Sequence, residues 1–457
     1  MPTILGANTL SSGYDVANSL RFDGASSSYL DRAASGSTSS NTTFTVSFWA
    51  KRAHLGDKQV VFMHENATSH AHKFEINFRT DNKITIETYK DGYEYNVLSA
   101  EKFTDVSAWY HFVVRVDTTQ GTEANRYRIY ANGAQLTLAE AGNGYPTQNF
   151  EFNLGTKILA VGRYQAASPS AYLDGYLAEV VYCDGQSLDP TSFGEFDSDT
   201  PTVWKPKDVS GLTFGNNGFY LDFEDSSNLG NDVSSNASDF TANNLAAVDQ
   251  STDTCTNNYA VLNELIYESS SNTFSEGNLK VTGTGSDSWT THYGVSTFAV
   301  SQGKWYVESK VTTVQDSQAI LGIFSTSQPI NSSLKDVGRA TVEKAGRITV
   351  FGSNAQTGLT AFSNGDIAAI AFDATNGTAQ FYRNGSAYGS AVSSIPSDLY
   401  YFATTTYDSG GVVEFNFGSP PFSISSGNSD QNGYGNFEYS VPSGYYALNT
   451  KNLAEFG

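Results

Sequence analysis

The chain has 457 residues, which is too long for one β-sandwich and suits two domains of roughly 200 residues each plus a connector. Its 47 acidic residues outnumber the 26 basic ones, and the net charge of −21 argues against binding nucleic acid through the phosphates. Aromatic residues reach 13% and glycine occurs 41 times, a composition typical of many short strands joined by tight turns.

The cysteines and the first residues bear on where the chain folds. Cys183 and Cys255 are far apart and form no disulfide framework, so we expect folding in a reducing cytoplasm, with a single bridge as the alternative. Met1 is followed by neither a basic nor a long apolar stretch, so we expect no signal peptide. No apolar run approaches about 18 residues, so we expect no membrane insertion.

Residues 1–16 are predicted to be a polar N-terminal arm, and residues 17–200 a β-sandwich. In Phe44–Trp49, large apolar and small polar residues alternate, which is the period-two pattern of a strand with two distinct faces. Asn132-Gly133 is one of several strong turn signals between the strands. The predicted strands are Ser19–Phe22, Phe44–Trp49, Gln59–Phe62, Phe74–Phe78, Lys83–Glu87, Tyr110–Val116, Arg126–Tyr130, Ile158–Val161 and Gly175–Tyr182.

Residues 201–260 are rich in Asp, Asn and Ser and are predicted to be an irregular connector with one strand, Phe219–Phe223. Residues 261–457 are predicted to form a second β-sandwich with hairpin turns at Asn376-Gly377 and Asn384-Gly385. The predicted fold class is therefore all-β, with two antiparallel sandwiches in series. The strands predicted in the second sandwich are Lys304–Val311, Ala319–Phe324, Gly346–Phe351, Asp366–Phe372, Ala379–Tyr382, Leu399–Ala403 and Val412–Phe417.

Each of the two segments contains a series of motifs in a recognisable order. In the first segment they are Leu20–Gly24, Phe44–Ala50, Trp109–Val113, Ile129–Gly133, Leu159–Gly162 and Leu173–Tyr182. In these motifs the first segment resembles the concanavalin A-like, laminin-G-like jelly rolls. In the second segment they are Gly303–Glu308, Leu321–Phe324, Gly365–Asp373, Asn376–Gly385 and Val413–Gly418 with Pro421-Phe422. In these the second segment resembles SPRY domains, which implies protein interaction without catalysis.

The pairing of the two modules, with Gly218–Phe223 and Asp253–Asn263 between them, is similar to bacteriophage virion proteins of the tail-fibre or surface type. This resemblance implies a virion location after assembly in the host cytoplasm and release by lysis. The implied partners are other virion structural proteins and host-surface polysaccharide. A homo-oligomer is also implied, with a trimer favoured by analogy with fibres.

Few residues in the sequence suggest a catalytic or metal-binding role. Retaining glucanases place two carboxyls about 5 Å apart, and the nearest string, Glu195–Asp199, follows the last predicted strand and is interpreted as a solvated loop. His64, His70 and His72 are interpreted as polar loop histidines rather than metal ligands, and His111 as a hydrogen-bonded structural residue. No catalytic residue is predicted.

Two sets of residues are candidates for binding. Asp222, Glu224 and Asp225 lie in an oxygen-rich stretch that suits Ca²⁺, with a polar linker as the alternative. Four aromatic residues among Gly, Ser, Thr and Asp are candidates for carbohydrate or protein contact, with loop packing as the alternative. They are Trp289, Tyr293, Tyr407 and Tyr434.

The sequence therefore predicts a non-catalytic structural protein of a phage particle, either a tail fibre or a receptor-binding component. It would engage host-surface glycans or neighbouring virion subunits. The alternatives are a capsid decoration or adaptor protein and, from a different class, a polysaccharide depolymerase with an unrecognised pair of acids.

Overall fold

The computed structural model describes residues 13–33, 36–65, 72–164, 168–265, 272–284, 293–313, 319–327, 339–406 and 409–457. The chain folds into two compact units. The N-terminal unit is Gly6–Thr256, and the C-terminal unit comprises Asn257–Gly457 together with Met1–Leu5, which lies outside the described residues. The described part of the chain contains no helix with the length and apolarity that a membrane crossing requires.

The N-terminal unit is built from short strands with turns between them. They are β1 Ser19–Phe22, β2 Tyr29–Arg32, β3 Thr43–Arg52, β4 Gln59–Glu65, β5 His72–Phe78, β6 Ile84–Lys90, β7 Tyr93–Ser99, β8 Trp109–Asp117, β9 Tyr127–Ala131, β10 Ala134–Gln135, β11 Leu138–Gly142, β12 Ile158–Val161, β13 Gly175–Asp184, β14 Gly194–Phe196, β15 Trp204–Pro206, β16 Phe219–Leu221, β17 Thr241–Asn243 and β18 Gln250–Ser251. Single 3₁₀ turns occupy Glu123–Asn125, Leu154–Thr156, Pro190–Ser192 and Ala247–Asp249.

Two antiparallel sheets carry the core of this unit. Sheet A has the strand order β10-β9-β8-β3-β13-β1-β18, with β16 beside β13, and sheet B has the order β11-β7-β6-β5-β4-β12-β2-β17. Phe44, Val46 and Phe48 alternate along β3 and are fully buried, as the period-two pattern predicts. The ring of Phe44 packs edge-on against Phe74 of sheet B, 4.9 Å between centroids, so the core lies between the two sheets.

The segment 201–260, predicted as an irregular connector with one strand, is more ordered than its composition indicates. Besides β16 it contains β15, β17 and β18, of which β17 extends sheet B and β18 extends sheet A. Polar side chains satisfy its backbone: Asp232 accepts hydrogen bonds from the amides of Tyr220 and Ser238, each at 2.9 Å. The Lys51 ammonium lies 2.7 Å from the Asp253 carboxylate, with both groups buried, and this pair fastens the segment to sheet A.

The C-terminal unit is a second pair of sheets followed by a short helix. Its elements are β19 Asn272–Ser275, β20 Lys280–Gly283, β21 Tyr293–Val300, β22 Lys304–Thr313, β23 Ala319–Ser325, β24 Ala340–Glu343, β25 Arg347–Val350, β26 Ser353–Gln356, β27 Ile367–Asp373, β28 Thr378–Arg383, β29 Ser386–Val392, β30 Tyr400–Thr405, β31 Val412–Asn416, β32 Tyr446–Ala447 and helix α1 Thr450–Phe456.

The two sheets of the C-terminal unit have the strand orders β19-β20-β31-β22-β27-β28-β29 and β21-β30-β23-β24-β25-β26. On β22, Trp305 and Val307 face the core, while Glu308 lies on the opposite face, fully buried. The Glu308 carboxylate accepts hydrogen bonds from the amides of Glu438 and Tyr439, at 3.0 and 2.9 Å, and so holds the segment that precedes β32 onto the sheet. The predicted fold class, two antiparallel β-sandwiches, is confirmed; among the described pairings only β22–β32 is parallel.

Candidate functional site

A polar groove opens in the N-terminal unit between the loop 36–41 and the turn 153–157. Its volume is about 470 Å³, within the range of small-molecule sites. Its described walls carry amides, hydroxyls and bare backbone, and at one end an imidazole and an ammonium. The lining residues are Gly36, Ser37, Thr38, Asn41, His72, Asn153, Gly155, Thr156 and Lys157.

Hydrogen bonds from backbone amides hold the two walls of the groove together. The Gly36 amide donates to the Gly155 carbonyl at 2.8 Å, and the Leu154 amide donates to Asn41 Oδ1 at 3.2 Å. A Cβ on Gly155 would lie 2.8 Å from the backbone carbonyl carbon of Ser37, so only glycine permits this approach. The walls are therefore fixed before any ligand arrives.

Asp184, at the end of β13, anchors the loop 36–41 to the sheet through hydrogen bonds. Its carboxylate accepts a hydrogen bond from Thr38 Oγ1 at 2.7 Å and another from the Ser39 amide at 2.6 Å. A third bond comes from the Asn217 amide at 3.1 Å. The 1% exposed Asp184 thus ties the groove to the sandwich, which limits the entropy that ligand binding would cost.

A cluster of carboxylates and lysines lies elsewhere, on the face of sheet B that points away from the core. Glu75 and Glu87 are paired across β5 and β6. Lys58 contacts both carboxylates, lying 2.9 Å from Glu87, and Lys73 lies 3.2 Å from Glu75 and 3.7 Å from Glu87. Sequence reasoning missed this cluster, although the alternation of Lys73 and Glu75 along one strand face could have indicated it.

The pKa values of the two carboxyls in this cluster are shifted in opposite directions. Burial raises the pKa of Glu75 to about 7. Burial also acts to raise the pKa of Glu87, but its hydrogen bond with Glu75 and the charge of Lys58 outweigh burial, and the pKa falls to about 2. Such a split is typical of catalytic acid–base pairs.

The geometry of the cluster does not suit glycoside hydrolysis. That reaction needs carboxyls about 5 Å or more apart with the sugar between them. Glu75 and Glu87 are hydrogen-bonded to each other and share two lysines, and the Glu75 side chain is 0% exposed. A sugar could not enter between these carboxyls, so the cluster fastens β5 to β6.

The string Glu195–Asp199, interpreted from the sequence as a loop, is partly ordered. Glu195 lies in β14 opposite Lys205 of β15, and its side chain is half exposed. Asp197 accepts hydrogen bonds from the amides of Asp199 and Thr200, each at 2.9 Å, and so stabilises a turn. This geometry gives neither carboxylate a catalytic partner among the described residues.

The predicted contact aromatics are not brought together in the described part of the chain. Trp289 and Tyr407 lie outside the described residues, and Tyr293 begins β21 but its side chain also lies outside them. Tyr434 is partly buried beside Phe437, with the Lys451 ammonium 5.6 Å from its ring. For Tyr434, the loop-packing alternative describes the structure.

The predicted calcium ligands do not form a ligand set. Asp222 accepts a hydrogen bond from the Glu224 amide at 3.1 Å, and Asp225 accepts one from the Ser227 amide at 2.9 Å. Each aspartate thus turns back to its own backbone, as Asx turns do. Within the described ranges no group of three or more His, Cys, Asp or Glu residues could hold a metal ion.

Of the histidines interpreted from the sequence as polar loop residues, His70 lies outside the described residues, and His72 lies in β5 rather than in a loop. His111 is buried and hydrogen-bonded as predicted: its Nε2 is 2.8 Å from Ser47 Oγ, and its Nδ1 accepts from Trp204 Nε1 at 2.9 Å. The interpretation of His64 as a polar loop histidine is wrong, because it lies in β4 and is 1% exposed. The cysteines Cys183 and Cys255 are both buried and free, so the alternative of a bridge between them is not realised.

Comparison with known protein families finds one match in this region. Residues 9–186 match the model of the concanavalin A-like lectin/glucanases superfamily, in its laminin G-like form, and these residues include the described lining of the groove and every strand of sheet B except β17. No curated protein matches the chain.

Several solved structures are similar to parts of the chain. The SPRY domain of human HERC1 has 18% identity and a TM-score of 0.28, covering 34% of this chain and 96% of its own. A heptameric SAP-like pentraxin from Limulus polyphemus has 14% identity and a TM-score of 0.29, covering 38% and 80%. The CBM40 of a Ruminococcus gnavus sialidase, bound to α2,3-sialyllactose, has 12% identity and a TM-score of 0.25, covering 30% and 73%. At these values the likenesses support no inference about function.

Proposed function

We propose that this chain is a non-catalytic adhesion protein of a bacteriophage particle, whose N-terminal unit binds host-surface glycan in the groove between residues 36–41 and 153–157. The observation that carries the proposal is the groove itself. It is of sugar size, its walls are rigid, and it belongs to a domain of the lectin/glucanase superfamily.

The lining of the groove suits sugar hydroxyls. Asn41 and Asn153 offer amide donors and acceptors, and the hydroxyls of Thr38 and Thr156, which donate to Asp184 and to the Asn153 carbonyl, offer acceptor oxygens. The described lining has no aromatic residue other than His72, so hydrogen bonds rather than ring stacking would hold the sugar. The cross-linked walls present these groups in fixed positions, which favours affinity because little is left to order on binding.

The absence of catalysis is part of the proposal. The one pair of carboxyls with divergent pKa values in the lectin-type domain, within the described residues, is closed by two lysines and by its own hydrogen bond. Incubation with host envelope polysaccharide should therefore release no reducing ends above background. Sustained release, abolished by Glu75→Gln or Glu87→Gln, would instead establish a depolymerase.

A blocked groove tests the binding function. Thr156 is exposed on the groove wall, so Thr156→Trp should fill the groove and abolish binding to host cells and to their purified surface polysaccharide. Thr122→Trp, at an exposed position that does not line the groove, is the matched control and should bind as the parent does. Equal binding by both variants would show that the groove is not the site.

The virion location and the oligomer rest on the resemblance of the paired modules to phage surface proteins. Locating the chain in an electron-microscopy map of the particle would distinguish a tail fibre from a capsid decoration or adaptor protein. The favoured trimer predicts a molar mass three times that of the 49.3 kDa chain in light scattering. A monomer both in solution and in the particle would contradict the assembly.

A further inference from the structure

We propose that the groove is selective for acidic glycans and that the carboxylate or sulfate group of the sugar is held at its inner end, beside His64, Lys90 and Lys157. This inference rests on the proposed glycan-binding function and adds the chemical class of the ligand. Three observations carry it, namely a cavity behind the groove, the charge of the lining and the state of His64.

A small cavity of about 10 Å³ adjoins the groove, and the two share His72 and Lys157 in their linings. We infer that a ligand in the groove presents one end to this cavity. The volume is that of about one water-sized group, which suits an oxygen of an acid group rather than a sugar ring. The cavity is lined by His64, His72, Lys73, Phe74, Thr88, Tyr89, Lys90, Phe150, Phe152, Leu154 and Lys157.

The place where the groove meets the cavity, here called the junction, is positively charged, whereas the chain as a whole is negatively charged. The chain has 47 acidic and 26 basic residues, yet neither described lining includes an Asp or Glu. Lys157 is only 4% exposed, and its pKa is lowered by burial and by the like charge of Lys90. An anion between the two ammonium groups would relieve that repulsion and form charge-assisted hydrogen bonds.

Other groups that face the junction leave its positive character in place. The Lys73 ammonium points to Glu75 on the opposite face of sheet B and is already paired. At the rim, the exposed Asp91 carboxylate lies 2.8 Å from His72 Nε2, and its charge also acts on Lys157, where it only partly offsets that of Lys90. Lys90 donates to the Glu151 carbonyl at 2.7 Å, a neutral acceptor that adds no negative charge to the junction.

The state of His64 is the third observation. It lines the cavity and is 1% exposed, and neither ring nitrogen has a hydrogen-bond partner in the part of the chain that the structure describes. Burial, followed by the charges of Arg32 and Lys157, lowers the pKa of His64 well below its ordinary value, so the ring is neutral and carries one N–H donor. A buried donor without a partner is costly, and an anionic oxygen in the cavity would satisfy it.

Matched sugars test the proposal on the full chain. Trigalacturonic acid and its methyl ester share the same backbone, and only the acid carries charge. By calorimetric titration at about 0.15 M salt, where long-range charge effects are screened, the acid should bind about tenfold or more tightly than the ester, as a charge-assisted hydrogen bond implies. A sulfated galactan tetrasaccharide and its desulfated form provide a second pair, which distinguishes a sulfate site from a carboxylate site.

Variants assign the selectivity to the junction. Lys157→Gln and His64→Phe should each bring the affinity for the acid down to that for the ester. Lys90→Gln, at a more exposed position, should reduce the preference even if Lys157→Gln folds poorly. Lys207→Gln, which removes the same charge from an exposed position outside both linings, is the control and should leave the preference unchanged.

The failure of this inference is distinguishable from failure of the proposed function. If the charged and the uncharged sugar bind equally in each pair, and Thr156→Trp abolishes the binding of all four sugars, the groove is a glycan site without acid selectivity. That result would overturn the inference. If an acid preference survives Lys157→Gln, Lys90→Gln and His64→Phe together, the acid group lies elsewhere and the inference is again overturned. A chain that binds none of the four sugars contradicts the acidic class itself.

Discussion

His64→Phe should stabilise the protein, which is unusual for a substitution in a densely packed core. The His64 ring is surrounded by Phe44, Phe62 and Tyr182, with centroid distances of 6.5, 5.1 and 5.2 Å. No described residue bonds its two nitrogens. Phenylalanine would replace polar nitrogens by apolar carbon in an aromatic environment, and the adjoining cavity has room for the small increase in size.

The magnitude follows from the cost of an unsatisfied buried polar group, about 1–3 kcal/mol. We expect a gain in the free energy of unfolding of about 2 kcal/mol at pH 7, which for a unit of this size raises Tm by about 4–8 °C. The gain should grow as the pH falls below 6.5, because an unfolded histidine takes up a proton there and the folded His64, with its lowered pKa, does not. Phenylalanine removes that proton-linked loss of stability.

His111→Phe is the matched control. His111 is also 1% exposed and lies between the rings of Trp49 and Trp204, but both its nitrogens are hydrogen-bonded. Its replacement would leave the Trp204 N–H and the Ser47 hydroxyl without this partner, and should lower the unfolding free energy by about 2–4 kcal/mol. Differential scanning calorimetry of both variants checks the contrast. A loss of stability in His64→Phe similar to that in His111→Phe would refute the reasoning.

Three further predictions concern the scaffold of the N-terminal unit. Burial raises the pKa of Glu179, bonded to the Tyr220 hydroxyl at 2.8 Å, to about 8, so its contribution to stability is full below pH 4.5 and is lost as the pH rises through 8. In urea unfolding between pH 5 and 9, Glu179→Gln should flatten the dependence of the free energy of unfolding on pH, and at pH 9 the loss it removes is on the order of 4 kcal/mol. The same pH dependence in the variant and the parent would contradict this prediction. Asp253→Ala removes the buried ion pair with Lys51 and should cost about 3–5 kcal/mol by calorimetry, and a loss below about 1 kcal/mol would show that the pair is dispensable. Gly155→Ala should cost about 1–3 kcal/mol and weaken glycan binding because its Cβ meets the Ser37 backbone, whereas Gly121→Ala, with open space around it, should do neither.

The core strands could be predicted from the sequence because their alternation is strong. The predicted Ser19–Phe22 and Ile158–Val161 agree with β1 and β12 to the residue. Strands with polar residues on both faces escaped prediction, and β2 is an example. Its Arg32 lies on the core face and is buried by bonds to the Asn217 carbonyl at 2.8 Å, a partner 185 positions away. Period-two patterns carry no information about such distant partners.

The segment 201–260 shows a different limit. Its polar composition predicted an irregular connector, but Asp232, Asn236 and Asp239 direct their side chains to backbone groups of the segment itself. The same composition would serve a solvated linker, since the distinction depends on which amide each carboxylate meets.

The candidate site could not be assembled from sequence, although one of its residues could have been found. The groove combines residues 36–41, 72 and 153–157, which only the order of strands in sheet B brings together. His64, in contrast, follows Phe62 by two positions in a strand, so the alternation places both on the core face. Extending the predicted strand by three residues to Glu65 would have indicated a buried histidine, which is the residue that distinguishes this groove from an ordinary surface cleft.

The net charge of −21 does not contradict a site for acidic glycans. The Debye length is about 8 Å at physiological ionic strength, so the repulsion between the chain and an anionic polysaccharide is largely screened at longer distances. The nearly buried Lys157 is screened much less and acts only on a group that has reached the inner end of the groove. An acidic surface would thus reject loosely bound polyanions while the junction retains the one sugar whose acid group fits, and this combination of general repulsion and local attraction is how specificity for a charged ligand can arise.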